Sequence, residues 1–142
     1  MPTLEELFGA ELIRDVNGTK VATSTLADKD LIGVYFSAHW CPPCRGFTPQ
    51  LADCYKAIKA AGKSFEIVFV SFDRDDASFK EYYGEMPWLS LPFDSDQKEK
   101  LSNEYGVSGI PALIILNKDG TLKSKDGRQL VTADLKGDKF PW

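Results

Sequence analysis

The sequence predicts an α/β fold, a sandwich in which helices cover a mixed central sheet. Two short, nearly unbroken apolar runs, "LIGVYFSA" (31–38) and "FEIVFVSF" (65–72), are typical of strands that are covered on both faces. A helical pattern follows each run, and a β-hairpin closes the series. Strands that alternate with helices and end on a hairpin imply that the sheet is mixed.

Two hairpin turns frame these strands. Near the start of the chain, Asn17-Gly18 separates two short alternating runs, and this dipeptide is favoured where both turn residues need a positive φ. Near the end, Asp119-Gly120 divides "ALIILNKDGTLKSK" into two further strands. The run at 65–72 is the best candidate for the central strand of the sheet.

Helical patterns fill the intervening segments. The first begins at the two adjacent prolines and should end near Gly62. Its apolar stripe consists of Phe47, Leu51, Cys54, Tyr55 and Ile58. A second stripe follows the acidic segment "DRDDAS", which supplies N-cap candidates, and consists of Phe79, Tyr82, Tyr83 and Met86. "DSDQKEKLSNEYG" predicts a polar helix that ends at Gly106, and the tail "VTADLKGDKFPW" predicts one short helix.

Composition narrows the class of protein. The 142 residues are 43% hydrophobic and 27% charged, which is typical of one globular domain, here residues 1–142. A net charge of −4 with scattered lysines offers no attraction for nucleic acid or anionic lipid, so we expect neither as a partner. Neither a membrane span nor a basic, apolar signal sequence is visible. We therefore expect a cytoplasmic protein, with the nucleus as the alternative compartment.

The stretch "SAHWCPPCRGF" (37–47) holds two of the three cysteines. A strand that runs straight into a helix places Cys41 at the helix N-terminus, with both prolines in the first turn, where a missing N–H costs nothing. The unpaired N–H groups and the helix dipole stabilise a thiolate there. Cys44 lies one turn deeper on the same side, so it should be less exposed and able to attack a mixed disulfide on Cys41.

Zinc binding is the alternative use of such a pair. Zinc usually takes four ligands, and the third cysteine, Cys54, lies ten residues past Cys44, or ~15 Å along the same helix. His39 is the single histidine and is expected to be a surface residue that flanks the pair. We therefore favour redox chemistry without a metal or cofactor, and we expect Cys54 to be an inert thiol in the core.

A second signal is Ile110-Pro111 in "GVSGIPALIIL", directly before an apolar strand. Proline is tolerated as the first residue of a strand because it need not donate to the ladder. A cis bond there would turn the Ile110 backbone toward an extended substrate chain beside the cysteines. Base rates alone favour the alternative, an ordinary trans proline in a turn.

The motifs "WCPPC" and "GIPA" resemble those of the thioredoxin superfamily. "WCPPCRGFTPQL", "EIVFVSFDRDDASFKEYYGEMPWLSLPF", "YGVSGIPALIIL" and "DKFPW" together resemble its nucleoredoxin and tryparedoxin branch. The resemblance implies a thioredoxin fold, a three-layer α/β/α sandwich with an N-terminal β-hairpin extension. It also implies a thiol-disulfide oxidoreductase that reduces protein disulfides.

The resemblance assigns roles to particular residues. Cys41 matches the nucleophile, Cys44 the resolving cysteine, and Trp40 the exposed indole beside the site, while Ile110-Pro111 match the substrate-contacting cis-proline loop. The implied partners are disulfide-containing protein substrates and an upstream dithiol or flavoprotein reductant. The alternative is a redox-sensing interaction module whose partner binding depends on the oxidation state of the same pair.

Three positions depart from the family patterns or align loosely with them. Tyr35 stands where thioredoxins bury an aspartate, so the proton of Cys44 must go elsewhere. Arg74 stands next to Asp73, where tryparedoxins tend to carry a second acid, and a cation there would repel a cationic polyamine dithiol. Arg128 lies where tryparedoxins have a functional arginine, but we expect a solvated surface charge.

Overall fold

The computed structural model describes residues 4–93 and 95–142. Within these ranges, seven strands form one sheet: β1 (Glu11–Ile13), β2 (Lys20–Ala22), β3 (Leu31–Ser37), β4 (Phe65–Ser71), β5 (Leu89–Ser90), β6 (Ala112–Asn117) and β7 (Leu122–Ser124). The helices are α1 (Leu4–Phe8), α2 (Pro42–Ala60), α3 (Asp76–Tyr83), α4 (Gln97–Glu104) and α5 (Gly127–Ala133), with a 3-10 helix over Thr23–Asp28.

The strand order is β2-β1-β5-β4-β3-β6-β7, which confirms the mixed sheet and places β4 in the middle. β3 runs parallel to β4, with Val34 opposite Val68, and antiparallel to β6, with Val34 opposite Ile114. Every residue of β3 and β4 is buried, as the unbroken apolar runs predicted. These strands can be apolar throughout because helices cover both faces of the sheet.

Alternation along the strands divides the core into two layers. Tyr35 points to one face, where it packs with residues of α2, α3 and α5. Its neighbours Val34 and Phe36 point to the other face, where they pack with α1, α4 and the 3-10 helix. The predicted three-layer α/β/α sandwich of the thioredoxin fold is therefore confirmed.

The N-terminal hairpin is present, but its turn differs from the expectation. β1 pairs with β2 in antiparallel register, and Gly18 has φ +78. Among the described residues only glycines have a positive φ, so the expectation for Asn17 is wrong. The Asp15 carboxylate accepts the N–H groups of Asn17 and Thr19 and holds a longer loop instead.

The short strand β5, in the segment "MPWLSLPF", has no counterpart in the sequence prediction. Ser90 pairs with Phe69 of β4 and with Ile13 of β1, so two residues join the hairpin to the central sheet. The hydroxyl of Tyr83 reinforces this junction by donating to the carbonyls of Trp88 (2.6 Å) and Ile13 (3.2 Å). A two-residue strand has no periodicity that a sequence pattern could reveal.

The helices largely follow the sequence patterns. α2 ends at Ala60, just before Gly62, which has φ +78. α3 begins after Asp75, whose carboxylate accepts the Ser78 N–H at 2.7 Å as an N-cap. α4 ends before Gly106; residue 94, at the start of the segment predicted for this helix, lies outside the described residues.

The short C-terminal helix lies earlier than predicted. α5 begins at Gly127, ahead of the tail 131–142, and ends at Ala133. The rest of the tail forms two turns and then packs the rings of Phe140 and Trp142 against Phe65 at 5.2 and 5.7 Å. In the part of the chain that the structure describes, no helix combines the length and apolarity needed to cross a membrane.

Candidate active site

Cys41 lies in the short turn between β3 and α2. It is the N-cap residue of α2, in extended conformation, and the two prolines occupy the first helical positions as predicted. Its sulfur accepts the N–H of Cys44 at 3.4 Å. Pro42 and Pro43 have no N–H, so Cys44 supplies the first N–H of the helix, and the sulfur that accepts it lies at the helix N-terminus, where negative charge is stabilised.

The two thiols differ in access. Cys41 is 5% exposed and Cys44 is 0% exposed, which confirms that the second thiol lies deeper. Neither thiol is in a disulfide, and the same holds for Cys54. Trp40, by contrast, is 50% exposed, and its Nε1 donates to the carbonyl of Phe72 at 2.9 Å. The indole is therefore held at the surface beside the sulfur pair.

The loop before β6 faces the cysteines. The Ile110-Pro111 peptide bond is cis, so the trans alternative that base rates favoured is wrong. The Cys41 thiol donates to the carbonyl of Ile110 at 3.9 Å. Ile110 also packs against a small cluster that contains Cys41 and Cys44. The structure thus brings all five sequence-predicted site residues to one edge of the sheet.

Arg128 is exposed, as expected, but it is anchored to this loop. Its Nη1 donates to the carbonyl of Pro111 at 3.2 Å, and its guanidinium lies 5.7 Å from the ring centre of Phe47. The close approach of α5 to β6 brings the Arg128 side chain to the loop that contains Pro111. At Gly127 a Cβ atom would come within 2.6 Å of Leu113, so this approach requires glycine.

The acidic segment after β4 has two separate functions in the structure. Asp73 is buried, and its carboxylate accepts the backbone N–H of His39 at 2.7 Å and the hydroxyl of Ser71 at 2.6 Å. Asp73 therefore fixes the turn before the cysteines, whereas Asp75 caps α3. Arg74, between them, places its guanidinium 5.4 Å from the ring centre of Trp40.

A cluster of buried hydroxyl groups lies beneath Cys44, and sequence reasoning did not identify it. Thr48 is at its centre, with its Oγ1 2.6 Å from the hydroxyl of Tyr35 and 2.6 Å from that of Tyr82. Ser37 Oγ lies 2.6 Å from the Tyr82 hydroxyl. The departure at Tyr35 was the one sequence signal that pointed to this region.

Burial dominates the electrostatics of the deeper thiol. It raises the pKa of Cys44 to about 11, and the hydrogen bond with Cys41 acts in the same direction. The Ser37 hydroxyl and the Ala38 N–H lower the pKa, because both can donate to a thiolate, but they do not cancel the effect of burial. Burial likewise raises the pKa of Tyr82.

Metal binding finds no support in the described ranges. Among those residues, no group of three or more His, Cys, Asp and Glu side chains is placed to hold an ion. Cys54 has a different environment from the pair, since its thiol lies 3.6 Å from the carbonyl of Asp134. His39 packs its ring 5.6 Å from that of Tyr82.

A buried strand that passes directly into a cysteine-capped helix opposite a cis-proline loop defines a thioredoxin-fold oxidoreductase. The family model described as Thioredoxin-like matches residues 28–122, and the chain belongs to this family. Nucleoredoxin from Mus musculus is 46% identical over 138 residues, which are 96% of this chain and 31% of the mouse protein. The chain therefore spans only about a third of the length of such relatives.

Tryparedoxins match over most of their own length. The protein from Trypanosoma brucei brucei is 45% identical over 125 residues, 87% of this chain and 85% of that protein. The structure of tryparedoxin I from Crithidia fasciculata has a TM-score of 0.88 and 41% identity, covering 98% of this chain and 96% of its own. A tryparedoxin II structure in complex with glutathionylspermidine has a TM-score of 0.88 and 38% identity, covering 98% and 97%. The resemblance to this branch is confirmed, and it supports a thioredoxin-like redox function.

Proposed function

We propose that this chain is a protein-disulfide reductase that works by dithiol exchange between Cys41 and Cys44. The observation that carries the proposal is the sulfur of Cys41 at the N-cap of α2, 3.4 Å from the Cys44 N–H. This sulfur lies at the N-terminus of a helix and accepts one N–H there, and a cysteine sulfur is the attacking atom in disulfide exchange. The catalytic residues are then Cys41 and Cys44.

The exchange has two steps. The Cys41 thiolate attacks one sulfur of a substrate disulfide; a mixed disulfide forms, the substrate S–S bond breaks, and the first substrate thiolate leaves. The Cys44 thiolate then attacks the Cys41 sulfur, and the second substrate thiolate leaves. The substrate gains two electrons, and the Cys41–Cys44 pair loses two electrons to become a disulfide.

The order of attack follows from access. Cys44 is fully buried, and its pKa is about 11. An external disulfide therefore cannot contact its sulfur, and the thiol is mostly protonated at neutral pH. Cys41 is the more exposed of the two and lies at the protein edge between Trp40 and Ile110. Cys44 is suited to the intramolecular second step, for which no access from solvent is needed.

We propose that Trp40, Ile110 and Pro111 contact the substrate. The indole of Trp40 presents a half-exposed apolar surface in a fixed orientation. Ile110 places its carbonyl 3.9 Å from the reacting sulfur, where a substrate chain in extended conformation can pair with the loop backbone. Protein substrates with an accessible disulfide in an extended segment fit this arrangement.

Arg74 bears on the choice of reductant. A related tryparedoxin binds glutathionylspermidine, whose polyamine is cationic. Here the guanidinium of Arg74 lies over Trp40, and it would repel such a group beside the site. We propose an upstream dithiol without a polyamine, or a flavoprotein, as the electron donor. Faster reduction by a polyamine dithiol than by an uncharged dithiol at equal concentration would contradict this.

We also propose that residues 1–142 act as one redox domain in a reducing compartment, the cytoplasm or the nucleus. The pair can regenerate its dithiol only where a reductant is supplied. Recovery of Cys41 and Cys44 as a stable disulfide from cells, under conditions that trap thiols, would contradict this location.

A disulfide-reduction assay tests the central proposal. Reduction of a protein disulfide by the wild-type chain with dithiothreitol as the electron source is compared with that by Cys41→Ser. We expect the variant to lose activity by about a thousandfold, because serine is a poor nucleophile in thiol exchange. Cys54→Ser is the matched control and should retain activity. Equal rates for Cys41→Ser and the wild type would overturn the proposal.

A further inference from the structure

We propose that Asp73 positions Cys41 for its attack on a substrate disulfide by holding the turn that ends at this cysteine. The inference rests on the proposed dithiol exchange, because it assigns a role in the first step of that reaction. Asp73 acts through the backbone of His39, 34 residues away in the chain. It is therefore a positioning residue and not a catalytic one.

A four-residue turn connects β3 to Cys41. Within this turn, the carbonyl of Ala38 accepts the Cys41 N–H at 3.2 Å. The N–H of His39 takes no part in that bond and donates instead to Asp73 Oδ1 at 2.7 Å, in the loop after β4. A backbone donor that loses such a partner carries a cost in free energy, so the bond to Asp73 favours this one geometry of the turn.

The Asp73 carboxylate is itself held in place. Its Oδ2 accepts the hydroxyl of Ser71 at 2.6 Å, and the Ser71 oxygen accepts the Asp73 N–H at 3.0 Å. Asp73 is buried, with an exposed fraction of 6%. Its negative charge raises the pKa of the half-buried Lys98, although burial lowers that pKa overall. A buried carboxylate whose second oxygen is also bonded is a rigid acceptor for the His39 N–H.

The loop after β4 contacts the turn at two further points. The Phe72 N–H donates to the carbonyl of Ser37 at 2.9 Å, and the Phe72 carbonyl accepts Trp40 Nε1 at 2.9 Å. The loop contributes backbone atoms to both of these bonds, whereas it contributes a side chain to the bond with His39. A substitution at Asp73 can therefore remove that one bond and leave the other two possible.

The position of the turn sets the position of the Cys41 sulfur. This sulfur lies 3.4 Å from the Cys44 N–H and 3.9 Å from the Ile110 carbonyl. In the proposed reaction a protein disulfide approaches it between Trp40 and Ile110. A displacement of about 1 Å in a reacting group can lower a rate by about a hundredfold. Loss of the Asp73 bond should therefore slow the attack although both thiols are still present.

Steady-state reduction of insulin, with dithiothreitol as the electron source, measures the effect on the reaction. For Asp73→Ala we expect kcat/KM to fall by about 10-fold to 100-fold, because the turn loses its side-chain anchor. For Asp73→Asn we expect kcat/KM within about threefold of the wild type, since the amide oxygen can accept the His39 N–H and the amide nitrogen can donate to Ser71 Oγ. Rescue by asparagine separates the hydrogen bond from the charge of the carboxylate.

Hydrogen exchange of the His39 amide, followed by NMR, reports the bond directly. Exchange should be about tenfold or more faster in Asp73→Ala than in the wild type, and it should remain slow in Asp73→Asn. Ser71→Ala removes one support of the carboxylate. In this variant we expect exchange to accelerate by about threefold and kcat/KM to fall by a similar factor. Ser71→Ala tests the same bond if Asp73→Ala does not fold.

Asp75→Ala is the matched control. The Asp75 carboxylate also accepts a backbone N–H at 2.7 Å, but that N–H belongs to Ser78 of α3 and not to the turn before Cys41. Its removal should lower the stability of the helix start. Both kcat/KM and the exchange rate of the His39 amide should stay within about twofold of the wild type.

The outcomes separate the two proposals. A wild-type kcat/KM in Asp73→Ala or in Ser71→Ala, an Asp73→Asn variant as slow as Asp73→Ala, or an equal loss in Asp75→Ala would overturn the positioning role. Each of these results leaves dithiol exchange intact when Cys41→Ser is inactive in the same assay. A Cys41→Ser variant as active as the wild type would instead overturn dithiol exchange and the positioning role with it.

Discussion

Helix α2 carries two fully buried thiols, Cys44 near its N-terminus and Cys54 ten residues later. Burial raises the pKa of both to about 11, so their intrinsic acidity does not distinguish them. The groups that surround the two thiols do distinguish them. Cys44 lies beside a second sulfur and a series of hydroxyl groups, whereas Cys54 lies beside the carbonyl of Asp134, whose negative charge raises its pKa further. We therefore expect the reactivity of these two thiols to depend on the neighbouring sulfur rather than on the pKa alone.

The residues around Cys54 also separate its thiol from solvent. It belongs to the core between α2 and the sheet, with Leu51 and Ile58 on the same stripe. The chain after α5 covers this stripe closely, because a Cβ atom at Gly137 would come within 2.2 Å of Ile58. The expectation of an inert core thiol agrees with this packing, and reactivity measurements can test it.

Removing each of the two thiols in turn should produce the largest difference, a difference in turnover between the Cys44 and Cys54 variants. Cys44→Ala should stop the second step, so that mixed disulfide accumulates on Cys41 and multiple turnover falls by about a thousandfold. Cys54→Ala should stay within about twofold of the wild type, because no step involves it. Initial rates and intact-protein mass spectrometry measure both. A Cys54→Ala variant as inactive as Cys44→Ala, with a normal melting temperature, would remove the distinction drawn between the two thiols.

Alkylation of the native, reduced protein tests access directly. At pH 7 iodoacetamide should modify Cys41 first, with Cys44 and Cys54 slower by about a hundredfold or more, since both are buried and protonated. Peptide mapping over a time course gives the three rates. In increasing urea, the Cys54 rate should rise together with unfolding. Modification of Cys54 as fast as that of Cys41 without denaturant would contradict the packing described above.

The pH dependence of stability gives the smallest of the three effects. The pKa of Cys54 rises from 9.0 in the unfolded chain to about 11 in the fold, so its contribution to stability is complete below pH 9 and is lost as the pH rises through 11. The free energy of unfolding of the wild type should therefore fall between pH 9 and 11 by about 2 to 3 kcal/mol more than that of Cys54→Ala. Urea titrations with a reductant present measure this, and parallel curves would show that Cys54 ionises equally in both states.

Local signals in the sequence predicted most of the architecture. The runs at 31–38 and 65–72 match β3 and β4 to within one residue, because an unbroken apolar run bounded by polar residues is sufficient to indicate a buried strand. The position of Cys41 before α2 was equally predictable, since adjacent prolines are tolerated only in the first turn of a helix. β5 and the position of α5 were not predicted, because neither has a periodic pattern of its own.

Other features depend on contacts between distant residues. Ser37, Thr48 and Tyr82 come from β3, α2 and α3, and no spacing in the chain indicates that their hydroxyl groups meet. The same is true of Asp73 holding His39, 34 residues away, and of Arg128 reaching Pro111.

The sequence by itself determined the fold class and the helix-capping cysteine pair, because periodicity and helix-start preferences act over one or two turns of chain. The tertiary structure alone decided which groups surround Cys44 and which surround Cys54, because those neighbours are brought together only when the helices pack on the sheet.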